Sequence, residues 1–589
     1  MYNRTYGWVQ NPANLNNLKL VVQIFDPESK HYEILRDDLV PNLIAFSDLR
    51  DDLLQKLNSN QTRFTYTELV GTSRDRQGRA AATRSHAVAD GLIQITIRPQ
   101  NFRTKGKAWT DNWTADGFLR WALSLGLVSH DRSTDLCAIT DLGKSFSSST
   151  DSPESDPTLA KAILAYPPAS RVLQLLDDAD TPVNKFYLGE RLGFKGERGF
   201  TSYPSDTMEK WLEESADINE QSKIRSDIEG TADKYGRMIS GWLIKIGYVK
   251  KVSTQIKTAT GLRSGFPNYE ITPKGRHAYR KSIGYSKNRR LPKYINWEFL
   301  AVDGNGASEN ANRDYIRTRR AKIIEFLQHS KSLAMLEKHL IDLGFDDNRT
   351  IILNDIAGLN SIGIRIDTTE NELILRDDII GFSIPDIAVT AEQMKSAQEY
   401  EKQELMEITT LPLKYYELLD IARDPKRNRA FELITIELLK EVMGLDGECL
   451  GGGRKPDGII YSETEKQALG VIVDTKAYTH GYGKNISQED EMVRYIEDNQ
   501  LRSSKRNENR WWEHFGENVT PDNTFFLWVS GDFKDRFHEQ LVSTYDRTGT
   551  KGAAISAREL LIAADKVKSG QLTPHQFLEA TSTLQVVEF

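Results

Sequence analysis

The sequence predicts a multidomain protein, with an N-terminal α+β part built from three similar subdomains and a C-terminal α/β domain. Three observations lead there. At 589 residues the chain is too long for one core, and its length points to roughly four domains. A helical run, a glycine with hydrophobic neighbours and a short two-strand segment recur three times before residue 390. Beyond that point, apolar runs of strand length alternate with runs of helical spacing.

The first copy runs from the helical Phe118–Trp121 through Leu125, Gly126 and Val128 to Ala138–Gly143. The second runs from Trp242 through Ile246, Gly247 and Val249 to Tyr269–Gly275. The third and weakest runs from Ile356–Leu359 through Ile362, Gly363 and Ile364 to Glu372–Asp377. In each, a glycine ends the helix and two strands around a polar hairpin form a wing. The unit resembles the winged-helix variant of the helix-turn-helix fold. One such unit need not touch DNA, but three in one chain favour a repeated DNA-binding architecture. The Ser/Pro/Asp-rich residues 147–157 suit a boundary. The basic stretch from Arg280 to Lys293 reads as a linker that could follow a phosphate backbone. Residues 391–407 are polar and free of Gly and Pro, as in an exposed connecting helix. The expected division is therefore 1–150, 151–292 and 293–388 for the three subdomains, with the third docking the last domain. A linker helix over 389–408 and a C-terminal domain over 409–589 complete it.

Composition sets limits. The chain is 39% hydrophobic and 27% charged, as in a soluble globular protein, and has no run near the ~20 apolar residues of a membrane helix. The opening residues lack the apolar core of a secretion signal, so a cytoplasmic protein is expected. The two cysteines, Cys137 and Cys449, exclude a disulfide framework and a Cys-rich metal site. The net charge of −7 hides an acidic region after residue 390 and a nearly balanced remainder with local basic clusters. Local basic faces decide nucleic-acid binding, so the global sign excludes nothing. Lys144-Ser145 after Gly143 lacks the first glycine of a phosphate loop, and nucleotide binding is not expected.

The last domain opens with a helix near Arg429–Met443, where Phe431, Ile434, Leu438 and Val442 recur at helical spacing. The stretch Gly451–Tyr478, GGGRKPDGIIYSETEKQALGVIVDTKAY, follows. From Gly470 it reads as a strand, with Ile472, Asp474, Lys476 and Tyr478 on one face. Asp457 and Asp474 can then meet beside the Lys476 ammonium. Two carboxylates suit Mg²⁺, with the main-chain carbonyl of Thr475 as a third ligand. Lys476 would orient or deprotonate a water and balance phosphate charge, which is the chemistry of phosphodiester hydrolysis. Charged groups between apolar neighbours need a reason to be there, which favours this reading over ordinary surface charges. Glu432 on the first helix could be an outer metal ligand, although a solvated helical glutamate is the default. Ser487–Asp490 has the spacing of a capping box opening the next helix. A strand over Phe525–Val529 and a helix from about Asp532 complete an α/β sandwich.

The Pro456-Asp457 and Asp474-Thr475-Lys476 elements resemble the PD-(D/E)XK nuclease motif. The wording LGGGRKPDG at 450–458, GVIVDTKAY at 470–478, QEDEMVRY at 488–495 and the pair Trp511-Trp512 is similar to that of the FokI family of type IIS restriction endonucleases. Similarity extends to Tyr6–Pro12, Asp111–Trp121 and Asp233–Met238, and so spans essentially the whole chain. The resemblance implies recognition of a short asymmetric, GGATG-like site in double-stranded DNA and Mg²⁺-dependent cutting of both strands at a fixed distance outside it. It also implies a nuclease docked on the recognition part until DNA is bound, then paired with a second copy, with a cognate methyltransferase in the same system. Carried over by motif, Asn11, Arg84 and Trp113 in the first subdomain are expected to bind DNA. So are Ser226, at a contact-Asn position, and Glu229, Lys234 and Arg237 in the second. Arginine suits guanine and glutamate can accept from cytosine N4. The loop before Arg84 is longer than the family pattern. Asp490 and Arg494 form an intrahelical pair by spacing, and a reciprocal contact across a two-fold nuclease interface by resemblance. A non-catalytic DNA-binding regulator with a retained dimerisation domain, or a repair or mobile-element nuclease, are the alternatives.

Overall fold

The computed structural model describes residues 4, 6, 8–9, 12–99, 106–215, 217–258, 261–285, 288–302, 307–386, 396–463, 467–483, 485–534 and 536–589. All three repeats form as read. The helices are Asn112–Ser124, Thr231–Lys245 and Arg349–Ser361. Each starts on a side-chain cap: Asp111 accepts from Thr114 N, Asp233 reaches back to Gly230 N at 2.7 Å, and Asn348 accepts from Ile351 N. Each ends at a glycine with positive φ, Gly126 at 68°, Gly247 at 76° and Gly363 at 99°. That conformation costs other residues energy, and at Gly363 a Cβ would also meet Pro167 O at 2.1 Å.

The wings are antiparallel pairs. Val128–Asp131 pairs with Leu136–Ile139, Val249–Val252 with Asn268–Ile271, and Ile366–Thr368 with Leu373–Leu375. The second wing carries an extra hairpin, Gln255–Thr258 against Gly261–Ser264.

The three units share one apolar core that runs from Tyr6 to Leu373. Trp121 and Trp242, from the first and second helices, stack at 4.7 Å, and Trp242 donates its indole N–H to Pro12 O at 2.8 Å. Burying these faces against each other adds apolar burial beyond what each unit has within itself. The basic stretch expected as a linker folds back on the protein. Lys293 is 1% exposed and donates to Leu164 O at 3.0 Å, Arg280 meets Asp177, and Arg290 donates to Arg376 O. Lys287 lies outside the described residues.

The connecting helix is Ala397–Ile408, and residues 387–395 lie outside the described set. It is not simply exposed: Lys402, Gln403 and Leu405 are buried. Lys402 donates to Gly196 O at 2.5 Å and Asp420 at 2.9 Å, and Gln403 to Asp347 at 3.2 Å.

The C-terminal domain is a six-stranded mixed sheet. Its order is Asp446–Cys449, Gly458–Glu463, Ala468–Lys476, Thr524–Ser530, Gly552–Ser556 and Val586–Val587. The first three strands are antiparallel and the rest parallel. One face packs on the helices Asn428–Glu441 and Ala557–Lys568 through Val471 and Val473. The other packs on Ile486–Leu501 and His538–Thr548 through Ile472 and Trp528. Helix Ile486–Leu501 is capped by Asn485, whose side chain accepts from Ser487 N and Gln488 N. Ser487 therefore lies inside the helix and the expected capping box is not made. Among the described residues, no helix is long and apolar enough to cross a membrane.

Candidate active site

Gly458 pairs with Val473 in antiparallel register, so Asp457 enters its strand opposite Asp474. Opposed residues share a face, and Lys476 lies two residues on. The alternation read from the sequence therefore brings the three groups to one end of the sheet. Lys476 Nζ lies 2.6 Å from Asp474 Oδ2 and over the ring of Trp528, 5.3 Å from its centroid. Thr475 holds the other carboxylate: its N–H and hydroxyl donate to Asp457 Oδ2 at 2.7 and 2.8 Å.

Asp474 is 2% exposed. Burial pushes its carboxyl well above the ordinary range; Lys476 pulls it down and Asp457 pushes it up. Burial works against the Lys476 charge, but Asp474 and Asp457 outweigh it and raise its pKa. Lys476 thus stands beside Asp474 where it can orient a water and balance charge. Asp474 Oδ2 has this charge beside it but no hydrogen bond of proper geometry. A buried, crowded carboxylate oxygen with a second carboxylate facing it is a fitting place for a hard divalent cation.

Glu432 joins this cluster, contrary to the solvated default. It projects from helix Asn428–Glu441 and accepts from Arg429 at 2.6 Å. Burial and then Asp457 raise its pKa. The signal in the sequence was its place between Phe431 and Leu433 on an otherwise apolar stretch. Burial raises the pKa of Tyr495 on the facing helix, and Asp474, Glu491 and then Asp457 add to it.

The second recognition unit packs against the turn that leads to Asp457. Trp211, on helix Ser205–Glu214, donates its indole N–H to Cys449 O at 2.8 Å and carries Arg429 over its ring at 5.1 Å. A Cβ at Gly451, on the turn leading to Asp457, would meet Trp211 at 2.9 Å. Arg198–Asp424 at 2.6 Å, the Thr201–Glu417–Arg427 cluster and Lys210–Glu448 extend this contact. The second unit thus meets the nuclease sheet and its first helix, while the third unit meets the connecting helix, where Gln403 donates to Asp347 at 3.2 Å and Asn354 to Met406 at 3.8 Å. No feature of the sequence marked Trp211 for this role.

Among the expected DNA-binding residues, Asn11 lies outside the described set. Arg84 stacks its guanidinium over Trp113 at 4.6 Å, and Trp113 is 54% exposed on the first turn of its helix. Ser226 is exposed at the end of helix Ile218–Ser226, and Lys234 and Arg237 lie on Thr231–Lys245. Glu229 is buried, bonded to Lys185 at 2.8 Å and to Arg237 at 2.7 and 3.0 Å. Asp490 and Arg494 lie on helix Ile486–Leu501 but do not pair with each other. Asp490 meets Arg547 at 2.7 Å and Arg494 lies 3.8 Å from Glu491, beside Ile486, which is 70% exposed.

Family models match four segments: FokI recognition domain subdomain 1 over residues 4–149, subdomain 2 over 157–287, the FokI D3 domain over 307–371 and the FokI cleavage domain over 394–588. The chain is 40% identical over 582 residues to the type II restriction enzyme FokI of Planomicrobium okeanokoites, covering 97% of this chain and 96% of that protein. It is 28% identical over 593 residues to the type II restriction enzyme StsI of Streptococcus sanguinis, covering 97% and 94%. Solved structures of restriction endonuclease FokI, alone and bound to DNA, each superpose with a TM-score of 0.90 at 38% identity, covering 100% of both chains. With the same four segments in the same order and the same fold along its whole length, the chain belongs to the FokI family of type IIS restriction endonucleases.

Proposed function

We propose that this restriction enzyme binds a short asymmetric site in double-stranded DNA through its first two winged units and cuts both strands at a fixed distance outside it. The observation that carries the reading is the meeting of Asp457, Asp474 and Lys476 at one sheet end, on a chain whose candidate base-reading helices lie hundreds of residues earlier in the sequence. Relatives of this chain are named as type II restriction enzymes, and one was solved with DNA. The family resemblance favours a GGATG-like site, a cytoplasmic setting and a companion methyltransferase that protects the host's own sites.

Asp457 and Asp474 would hold Mg²⁺, with the Thr475 carbonyl as a third ligand and Glu432 behind them. When bound, the ion supplies charge relief at the phosphate oxygens and makes the attacking water easier to deprotonate. Thr475 keeps Asp457 aimed at the site through its two hydrogen bonds. Lys476 orients the water and offsets the negative charge on the phosphate oxygens as the water oxygen bonds to phosphorus and the P–O bond to the leaving oxygen breaks. One such site cuts one strand, so two nuclease domains must meet. Asp490 and Arg494, on an exposed helix face with Ile486, suit a reciprocal two-fold contact.

Incubation of plasmid with the protein and Mg²⁺, followed by sequencing of every end, tests this. Discrete ends at one offset from one motif are expected, and intact plasmid at every enzyme concentration would overturn it.

A further inference from the structure

The second recognition unit contains a buried lysine that touches neither the catalytic site nor the surface. Lys185, the first residue of helix Lys185–Glu190, has a side chain only 2% exposed. Its Nζ passes the rings of Phe186 and Phe266 at 5.1 and 5.9 Å. It ends on Glu229 Oε2 at 2.8 Å and on Arg225 O at 3.2 Å. Glu229 in turn takes Arg237 with both oxygens, from Nε at 3.0 Å and Nη2 at 2.7 Å. Burial lowers the Lys185 pKa and Glu229 offsets part of this; the Arg237 pKa is raised, first by its bond to Glu229.

A buried ion pair is weak evidence for stability, since apolar groups of the same shape often serve as well. Phe186 and Phe266 would accept an apolar neighbour. What an apolar residue cannot do is anchor a carboxylate that anchors an arginine. Arg237 is the exposed end of this chain of charges, with a side chain 45% exposed. It opens into a cleft lined also by Arg225, Ser226, Lys251, Thr254 and Ser264. Glu229 occupies the Nε and Nη2 edge, which leaves both Nη1 hydrogens and one Nη2 hydrogen for a partner in the cleft. That is the donor pair that reads guanine O6 and N7.

We infer that Lys185 is a positioning residue for base recognition: through Glu229 it holds Arg237 in one orientation toward a guanine in the cleft. The inference rests on the reading of this cleft as a DNA-binding surface. Lys185 never reaches a phosphate, so its loss leaves the electrostatic part of binding in place. Its loss frees Arg237 to swing, and discrimination falls at one base pair alone.

The test uses the full-length protein and duplexes carrying the site mapped with wild type, together with every single-base-pair variant of it. For Lys185→Met, discrimination at one G·C pair is expected to fall about tenfold while the other positions keep their wild-type profile. The slope of log affinity against log salt should stay at the wild-type value, whereas a lost phosphate contact would lower it by about 1. Glu229→Gln, which keeps the shape and removes the charge, should relax the same position. It carries the prediction if Lys185→Met does not fold. An unchanged base profile in a folded variant, or a uniform loss across all positions, overturns the inference. A wild type with no discrete site overturns the functional reading instead.

Discussion

Trp211 offers a measure of how firmly the nuclease is held against the recognition part. Its indole N–H donates to Cys449 O at 2.8 Å, and its ring lies under Arg429 and against the Gly451 turn that leads to Asp457. Trp211→Phe keeps an aromatic ring and removes one hydrogen bond, a net loss of about 1 kcal/mol. Trp211→Ala also removes the cation–π contact, about 0.5–1 kcal/mol, and much of the ring's packing, for a total of roughly 3 kcal/mol. If the undocked state is the one able to cut, its population rises about fivefold for Phe and on the order of a hundredfold for Ala. Plasmid lacking the mapped site, incubated with Mg²⁺, reads this as site-independent nicking, with Asp457→Ala in the same background as the blank. Nicking should rise in the order wild type, Phe, Ala while site binding stays within about twofold. Equal nicking by all three, with melting curves showing each folded, would refute the idea that this contact holds the nuclease back.

Other outcomes follow from the same geometry. Asp457→Ala or Lys476→Ala should abolish cutting and leave site binding by gel shift unchanged; normal cutting by either variant would remove the residue from the site. Asp474 and Glu432 have raised pKa values, so the metal-free folded state binds protons that the unfolded state releases, and stability contributed there declines as pH rises above the ordinary carboxylate range. Mg²⁺ replaces those protons, so the Tm gain on adding it should be larger at ~pH 8 than at ~pH 6. A gain independent of pH would count against these carboxylates as ligands. Asp490→Ala with Arg494→Ala should slow double-strand cutting more than site binding, and equal loss of both would refute a role in pairing two nuclease domains.

The catalytic cluster was legible because it depends on local rules. Alternation along Gly470–Lys476 places Asp474 and Lys476 on one face whatever the rest of the chain does, and the Pro456-Asp457 turn supplies the facing carboxylate through antiparallel pairing. The three helix–glycine–hairpin units were legible for the same reason, since a positive-φ glycine and a wing need only neighbouring residues. Where residues far apart in the chain compete for one partner, the sequence misleads. Spacing pairs Asp490 with Arg494, but Arg547 takes Asp490; the Ser487 box gives way to the Asn485 cap. Only packing shows the Glu229 carboxylate held between Lys185 and Arg237.

The sequence by itself therefore determined that Asp457, Asp474 and Lys476 meet and determined the repeated plan of the recognition part. Both rest on periodicity and on turns that a few residues specify. The tertiary structure decided which charges are spent inside the protein and which remain for DNA. It also decided that the three units share one core and that Trp211 packs against the turn that leads to Asp457. Those outcomes depend on contacts between segments hundreds of residues apart, whose free energies come from desolvation and packing that no local pattern records.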